Sequence, residues 1–162
     1  MSVHAPDPIP PAEVRRRRVR AVRVARSLGF VGRVEYRHVY APTSGAQYGR
    51  GSEAGGDLLW LSAEAFERDA TGNDFSLRAI IAHERGHQLL ARHPRFETRL
   101  AGMPAVVEEM LASLIGARLV GAGADRDTLV DKAAGDLLDA GVTAATTALQ
   151  IERWWALLGE LL

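Results

Sequence analysis

Apolar positions along this chain recur at helical spacing at its start, change to strand-like runs, and return to helical spacing from its middle onward. Val14, Val19, Val22, Ala25 and Leu28 fit one broad face of a helix from Glu13 to Leu28, and Gly29 offers its stop. Val31 to Tyr40 alternates imperfectly, is rich in Val and Tyr, and reads as a strand. Pro42 to Gly56, rich in Gly and Ser, reads as a loop or open hairpin. Asp57 to Ser62 reads as a short strand and Ala63 to Asp69 as a short helix with Ser62 as its N-cap; Thr71 to Asp74 is a turn. Phe75 to Arg92 is the central helix, with Asp74 or Ser76 placed to cap it and Pro94 unable to continue it. Met103-Pro104 opens a helix to about Val120, ended by Gly121 and Gly123. Asp125 to Ala140 and Val142 to Leu161 complete a helical C-terminal half.

A chain of 162 residues suits one domain with a sizeable core. The expected organisation is a disordered lead-in over residues 1–11, which holds four prolines, followed by a single domain over 12–162. The formal net charge of +0 gives no whole-chain field toward nucleic acid or anionic membrane, so neither is expected as a partner. Arg15 to Arg18, Arg20, Arg23 and Arg26 crowd the first helix and read as a solvated face. Lys132 is the lone lysine, a bias of composition that by itself says nothing of mechanism. The start lacks the basic and apolar run of a signal peptide, and no segment reaches the ~20 apolar residues that span a bilayer, so the expected location is the cytoplasm.

Cysteine is absent, which removes disulfides, a Cys-rich zinc knuckle and a thiol nucleophile. Any metal site must draw on His, Asp and Glu, a donor set that suits catalytic zinc better than structural zinc. His83-Glu84-Arg85-Gly86-His87 is an HExxH sequence. On a helix, positions four apart lie one turn apart on one face, so His83 and His87 can hold one zinc ion. Glu84 then sits beside the metal, placed to take a proton from water and deliver it to a leaving amine. Leu77, Ile80, Ile81, Leu89 and Leu90 mark the flanks as those of a buried helix. The plain alternative is two core histidines with Glu84 in an ion pair. A third protein ligand is needed, and Glu108, Glu109 and His93 are the candidates.

Ile80 to Leu89, with the HExxH at its centre, resembles the active-site helix of the zincin metallopeptidases. The strand Leu58 to Ser62 ahead of it resembles that superfamily's order of elements, in which a strand edge beside the metal pairs with extended peptide substrate. The likeness covers about residues 57–118. It implies an α+β, zincin-like fold, with a small mixed sheet packed on the HExxH helix and additional helices behind. It also implies hydrolysis of peptide bonds with Zn²⁺ as cofactor, Glu84 as base and then acid, and a peptide or protein as substrate.

Val107-Glu108-Glu109-Met110-Leu111-Ala112 resembles the second helix of gluzincins, and matching residue by residue makes Glu109 the third ligand beside His83 and His87. Ala105, Ala112 and Gly116 share its face and would let that helix come close. Ser113 stands where gluzincins carry an acidic residue that orients a histidine. His93 instead occupies the place of the third metzincin histidine, with Met103 posing as the methionine beneath the metal. There Leu90 replaces the glycine that permits the turn, and leucine disfavours such a backbone. The compact chain is most similar to the minimal gluzincins. Two rival readings are a partner-specific intracellular protease resembling the ImmA/IrrE group and a non-catalytic zincin-like binding domain. The intact Glu84 speaks for chemistry over a scaffold. Tyr36, His38, Tyr40 and Tyr48 are the candidates considered for stabilising an oxyanion. Trp154 and Trp155, with the leucines of the last helix, read as core.

Overall fold

The computed structural model describes residues 5–41, 45–72, 74–97 and 102–162. Among them the architecture is α+β, with a small three-stranded mixed sheet and helices on both sides of a central one. Helix α1 (Pro11–Ser27) opens with proline in its first turn, where the missing N–H costs nothing. Its buried face is Ala21, Ala25 and Leu28, with Val14 and Val24 partly covered. Val19 and Val22, expected on that face, are exposed at 57% and 38%. At 100° per residue Val19 lies about 160° around the helix from Ala21, so the apolar stripe runs through 14, 21, 25 and 28 instead. Ahead of α1, Pro6 is buried and the Asp7 carbonyl accepts from His38 Nε2 at 2.7 Å; the remainder of the expected lead-in, residues 1–4, lies outside the described residues.

Strands β1 (Arg33–Tyr36), β2 (Ala46–Gly49) and β3 (Leu58–Leu61) pair in the order β1-β3-β2, with β1 parallel and β2 antiparallel to β3. The expected strand over 31–40 is therefore only four residues long, and of the two readings of the 42–56 loop, plain loop or open hairpin, the second fits, since β2 lies there and pairs antiparallel with β3. Residues 42–44 of that loop lie outside the described residues. β3, expected as the edge beside the site, is the central strand; the edge is β2.

Helix α2 (Ala63–Thr71) follows directly, and Gly72 ends it in the left-handed conformation at φ 70°. Asn73, part of the expected turn, lies outside the described residues. Ser62 precedes α2 but does not cap it, since its hydroxyl bonds to the Gly45 carbonyl at 3.2 Å and to Glu64.

Helix α3 (Leu77–Arg92) is capped by Ser76, whose Oγ accepts from the Ala79 N–H at 3.0 Å. Asp74 is taken by Arg68 at 2.7 and 2.9 Å. His93 turns extended at the end of α3, and Pro94 begins the four-residue helix α4 (Pro94–Glu97). Helix α5 (Ala105–Val120) starts after Pro104 and stops at Gly121, whose φ is 74°. Helix α6 (Ala124–Asp139) and helix α7 (Ala144–Leu161) close the chain, with Thr143 capping the Thr146 N–H at 3.3 Å.

Two apolar cores flank α3. One joins α1 and the sheet to Leu77, Ile80 and Ile81; the other gathers Leu90, Met110, Leu111, Leu114 and Ile115 against α6 and α7, with Trp154 and Trp155 packed on it. α3 and α5 lie unusually close. A Cβ on Gly86 would stand 2.2 Å from the Ala112 carbonyl oxygen, and one on Gly116 would stand 2.8 Å from that of Ala82. This approach brings a carboxylate on α5 up to the histidine face of α3.

Candidate metal centre

His83 and His87, one turn apart on α3, point their Nε2 atoms at the same spot, 3.2 Å from each other. Their rings stand nearly perpendicular, at 88°, with centroids 4.8 Å apart. Glu109 reaches across from α5, its Oε2 3.1 Å from His83 Nε2 and its Oε1 3.3 Å from His87 Nε2. Among the described residues these three side chains form a group able to hold one metal ion, with the ligand atoms within 4.8 Å of one another. The three ligand atoms lie 3.1–3.3 Å apart, close enough to share one ion between them.

Each imidazole is held from its far side. His87 Nδ1 is 3.1 Å from Glu108 Oε1, and a carboxylate only accepts, so Nδ1 donates there and Nε2 is the nitrogen turned to the cluster. His83 Nδ1 meets the buried Ser113 hydroxyl at 3.0 Å. That serine fills the position at which the resemblance left the orienting group open. Glu108 and Glu109 thus take different jobs: one faces the histidine's back, the other faces the metal position. His93 is outside the group. Its Nδ1 accepts the Arg95 N–H at 3.3 Å and its ring lies against Phe96.

Glu84 is buried, and its Oε2 accepts the Tyr48 backbone N–H at 2.8 Å. A cleft of about 340 Å³ is lined by Ala46, Gln47, Tyr48, His83, Glu84, His87, Glu108 and Glu109. Edge strand β2 therefore forms one wall of the site. Three carboxylates line this cleft, and Lys132 of α6 reaches one of them, Glu109 Oε2, at 3.4 Å. Electrostatics at the cluster follow from the same contacts. Hydrogen bonds from His83 and His87 hold the Glu109 carboxyl far below the usual carboxylate range. Burial works against a charge on His87, but the bond to Glu109 and the nearby charge of Glu84 outweigh it and raise its pKa.

Behind β2 lies a second polar group that sequence reasoning did not single out. Asp57 is fully buried and accepts from the Gly51 N–H at 2.8 Å, the Tyr48 hydroxyl at 3.0 Å and Gln88 Nε2 at 2.7 Å, and it pairs with Arg92. Burial alone would raise its pKa, but Arg92, Gln88 and the other donors lower it to about 2. Burial and the hydrogen bond to Asp57 push the Tyr48 phenol up to about 12. The Tyr48 hydroxyl is thereby committed to Asp57, while its backbone N–H serves Glu84.

The other aromatic candidates lie elsewhere. Tyr36 OH bonds to Arg17 and His38 at 2.9 and 2.8 Å, and Tyr40 OH donates to Glu67 at 2.9 Å. The arginine run is partly spent on intramolecular bonds: Arg16 and Arg17 pair with Glu13, Arg20 with Asp69, and Arg26 donates to the Phe30 and Gly32 carbonyls. No helix among the described residues is long and apolar enough to cross a membrane. No family model, curated protein or solved structure matches this chain.

Proposed function

We propose that the chain is a zinc-dependent peptide hydrolase of zincin type, with His83, His87 and Glu109 holding the metal and Glu84 as the proton carrier. The observation that carries this reading is the triangle of two Nε2 atoms and one carboxylate, with edges of 3.1–3.3 Å. Its dimensions and donors fit zinc, with a fourth position left for a reactant.

A zinc ion so held supplies Lewis acidity, lowering the pKa of a water toward about 7 and polarising a carbonyl. The chain's own residues do the rest. Glu108 at His87 Nδ1 and Ser113 at His83 Nδ1 hold the two rings with Nε2 turned inward. Glu84, one residue along from His83, accepts the proton of the attacking water and gives it to the departing amine nitrogen. The Tyr48 N–H keeps the Glu84 carboxylate aimed during that exchange. The outer edge of β2 borders the cleft, where an extended peptide would lie alongside it.

The test compares the parent with Glu84→Gln on casein and a mixed peptide library after zinc loading. The expected result is cleavage by the parent and loss of cleavage in the variant with zinc retained. Equal inertness of both, in protein that binds zinc, would contradict the hydrolase reading.

A further inference from the structure

Helix α6 brings one more charged group to the cluster. Lys132 is three-quarters buried, with its Nζ 2.8 Å from Asp136 Oδ2 one turn along the helix and 3.4 Å from Glu109 Oε2. A second, smaller space of about 100 Å³ lies on this side of the site, lined by Arg68, Phe75, Ile80, His83, Glu84 and Lys132. Glu84 and Lys132 therefore border the same void, one a proton acceptor and the other a cationic donor. Glu84 and His83 also border the larger cleft beside β2, so the two spaces share these two residues as walls.

We propose that Lys132 is the donor that stabilises the negative charge developing on a scissile carbonyl oxygen. This inference rests on the peptidase reading. When water oxygen bonds to the carbonyl carbon, the C=O π pair moves onto oxygen and the water's proton goes to Glu84. The C–N bond then breaks, the nitrogen takes the proton from Glu84, and the oxygen's pair reforms the carbonyl. Lys132 lends a hydrogen bond throughout and gives up no proton. A donor preoriented by Asp136 in a partly closed site is the arrangement such a charge requires.

Lys132 is itself bonded to Asp136 and to Glu109, which lines the larger cleft; the other donors nearby are held by groups that line neither space. The Tyr48 hydroxyl serves Asp57, and Tyr36, His38 and Tyr40 bond to groups outside both spaces. Arg68, the other cation on the smaller void, is clamped by both oxygens of Asp74 and stacks on Phe75 at 4.7 Å. The competing role for Lys132 is to offset the charge of Glu109. That role predicts a change in zinc affinity, whereas an oxyanion donor acts only as the tetrahedral species forms.

The experiment uses zinc-loaded full-length parent, Lys132→Met and Lys132→Gln, with a quenched peptide that the parent cuts and its phosphinic isostere. Four quantities are read: kcat, KM, isostere affinity by calorimetry, and zinc affinity by chelator competition. For Lys132→Met the expected result is a loss in kcat of about a hundredfold or more. A weakening of isostere binding should accompany it, with KM and zinc affinity within about threefold of the parent's. Lys132→Gln keeps an N–H donor without the charge and should recover at least about tenfold of that loss, while charge compensation predicts that Gln and Met behave alike. Unchanged kcat and isostere affinity in both variants, or a loss that tracks zinc affinity alone, overturns the role of Lys132 and leaves the peptidase reading standing. A zinc-loaded parent that cuts no peptide overturns both.

Discussion

Ser113 Oγ stands 3.0 Å from His83 Nδ1, in a fully buried contact between α5 and α3. A hydroxyl there holds the ring without adding the negative charge that a carboxylate would bring. Ser113→Ala should therefore lower zinc affinity by about tenfold, and Ser113→Asp should retain or strengthen binding if the carboxylate finds the same nitrogen. Competition against a chromogenic chelator reads both. Equal affinity in Ser113→Ala and the parent would show that packing alone fixes His83.

Glu108 and Glu109 are adjacent yet face different atoms, so their alanine variants should separate. Glu109→Ala removes the proposed third ligand and should abolish stoichiometric zinc. Glu108→Ala removes the partner of His87 Nδ1 and should weaken zinc by about 10- to 100-fold. His93→Ala should leave affinity at the parental value, because His93 bonds at the end of α3. Metal analysis after dialysis distinguishes the three.

The close approach of α3 and α5 depends on Gly86 and Gly116. A methyl at Gly86 would lie 2.2 Å from the Ala112 oxygen, which forces the helices apart. Gly86→Ala should cost about 1–3 kcal/mol and lower the melting temperature by several degrees. It should also weaken zinc binding, because Glu109 would withdraw with α5. Gly135→Ala, where the added carbon meets nothing within 4 Å, is the control and should be neutral or stabilising.

Asp57 gives the fold an acid-sensitive tie. Its folded pKa of about 2 lies below the ordinary 3.8. A depressed carboxylate contributes stability that is complete above the unfolded value and is lost as pH falls through the folded one. The window is thus about pH 4 down to pH 2, and the contribution is about 2 kcal/mol. Urea unfolding of the parent should lose about that much across the window, and Asp57→Asn should lose correspondingly less.

Helices were the most legible part of the chain, because capping and stopping residues agree with apolar periodicity. Ser76, Pro94, Pro104 and Gly121 all stand at or beside the boundaries found. Within α1 the same method misjudged the inward face, because isolated valines at 19 and 22 are as apolar as buried ones and burial there is decided by alanines. The bounds of β2 were not legible, because Ala46-Gln47-Tyr48-Gly49 is short, ends in glycine and sits in a composition that reads equally as loop or open hairpin; its pairing with β3 decides it. The HExxH spacing announced the two histidines and Glu84, and the resemblance pointed to Glu109. Lys132 and Asp57 carry no motif. Each reaches its partners only after distant segments pack, Lys132 across 23 positions to Glu109 and Asp57 across 35 to Arg92.

The central claim is that two imidazoles on α3 and one carboxylate on α5 form a zinc site. Calorimetric titration of metal-free protein with Zn²⁺, beside Glu109→Ala, tests it most directly. The account predicts one ion per chain, bound with submicromolar affinity by the parent and lost in the variant. A flat titration of folded parent, or an identical isotherm from Glu109→Ala, would contradict it.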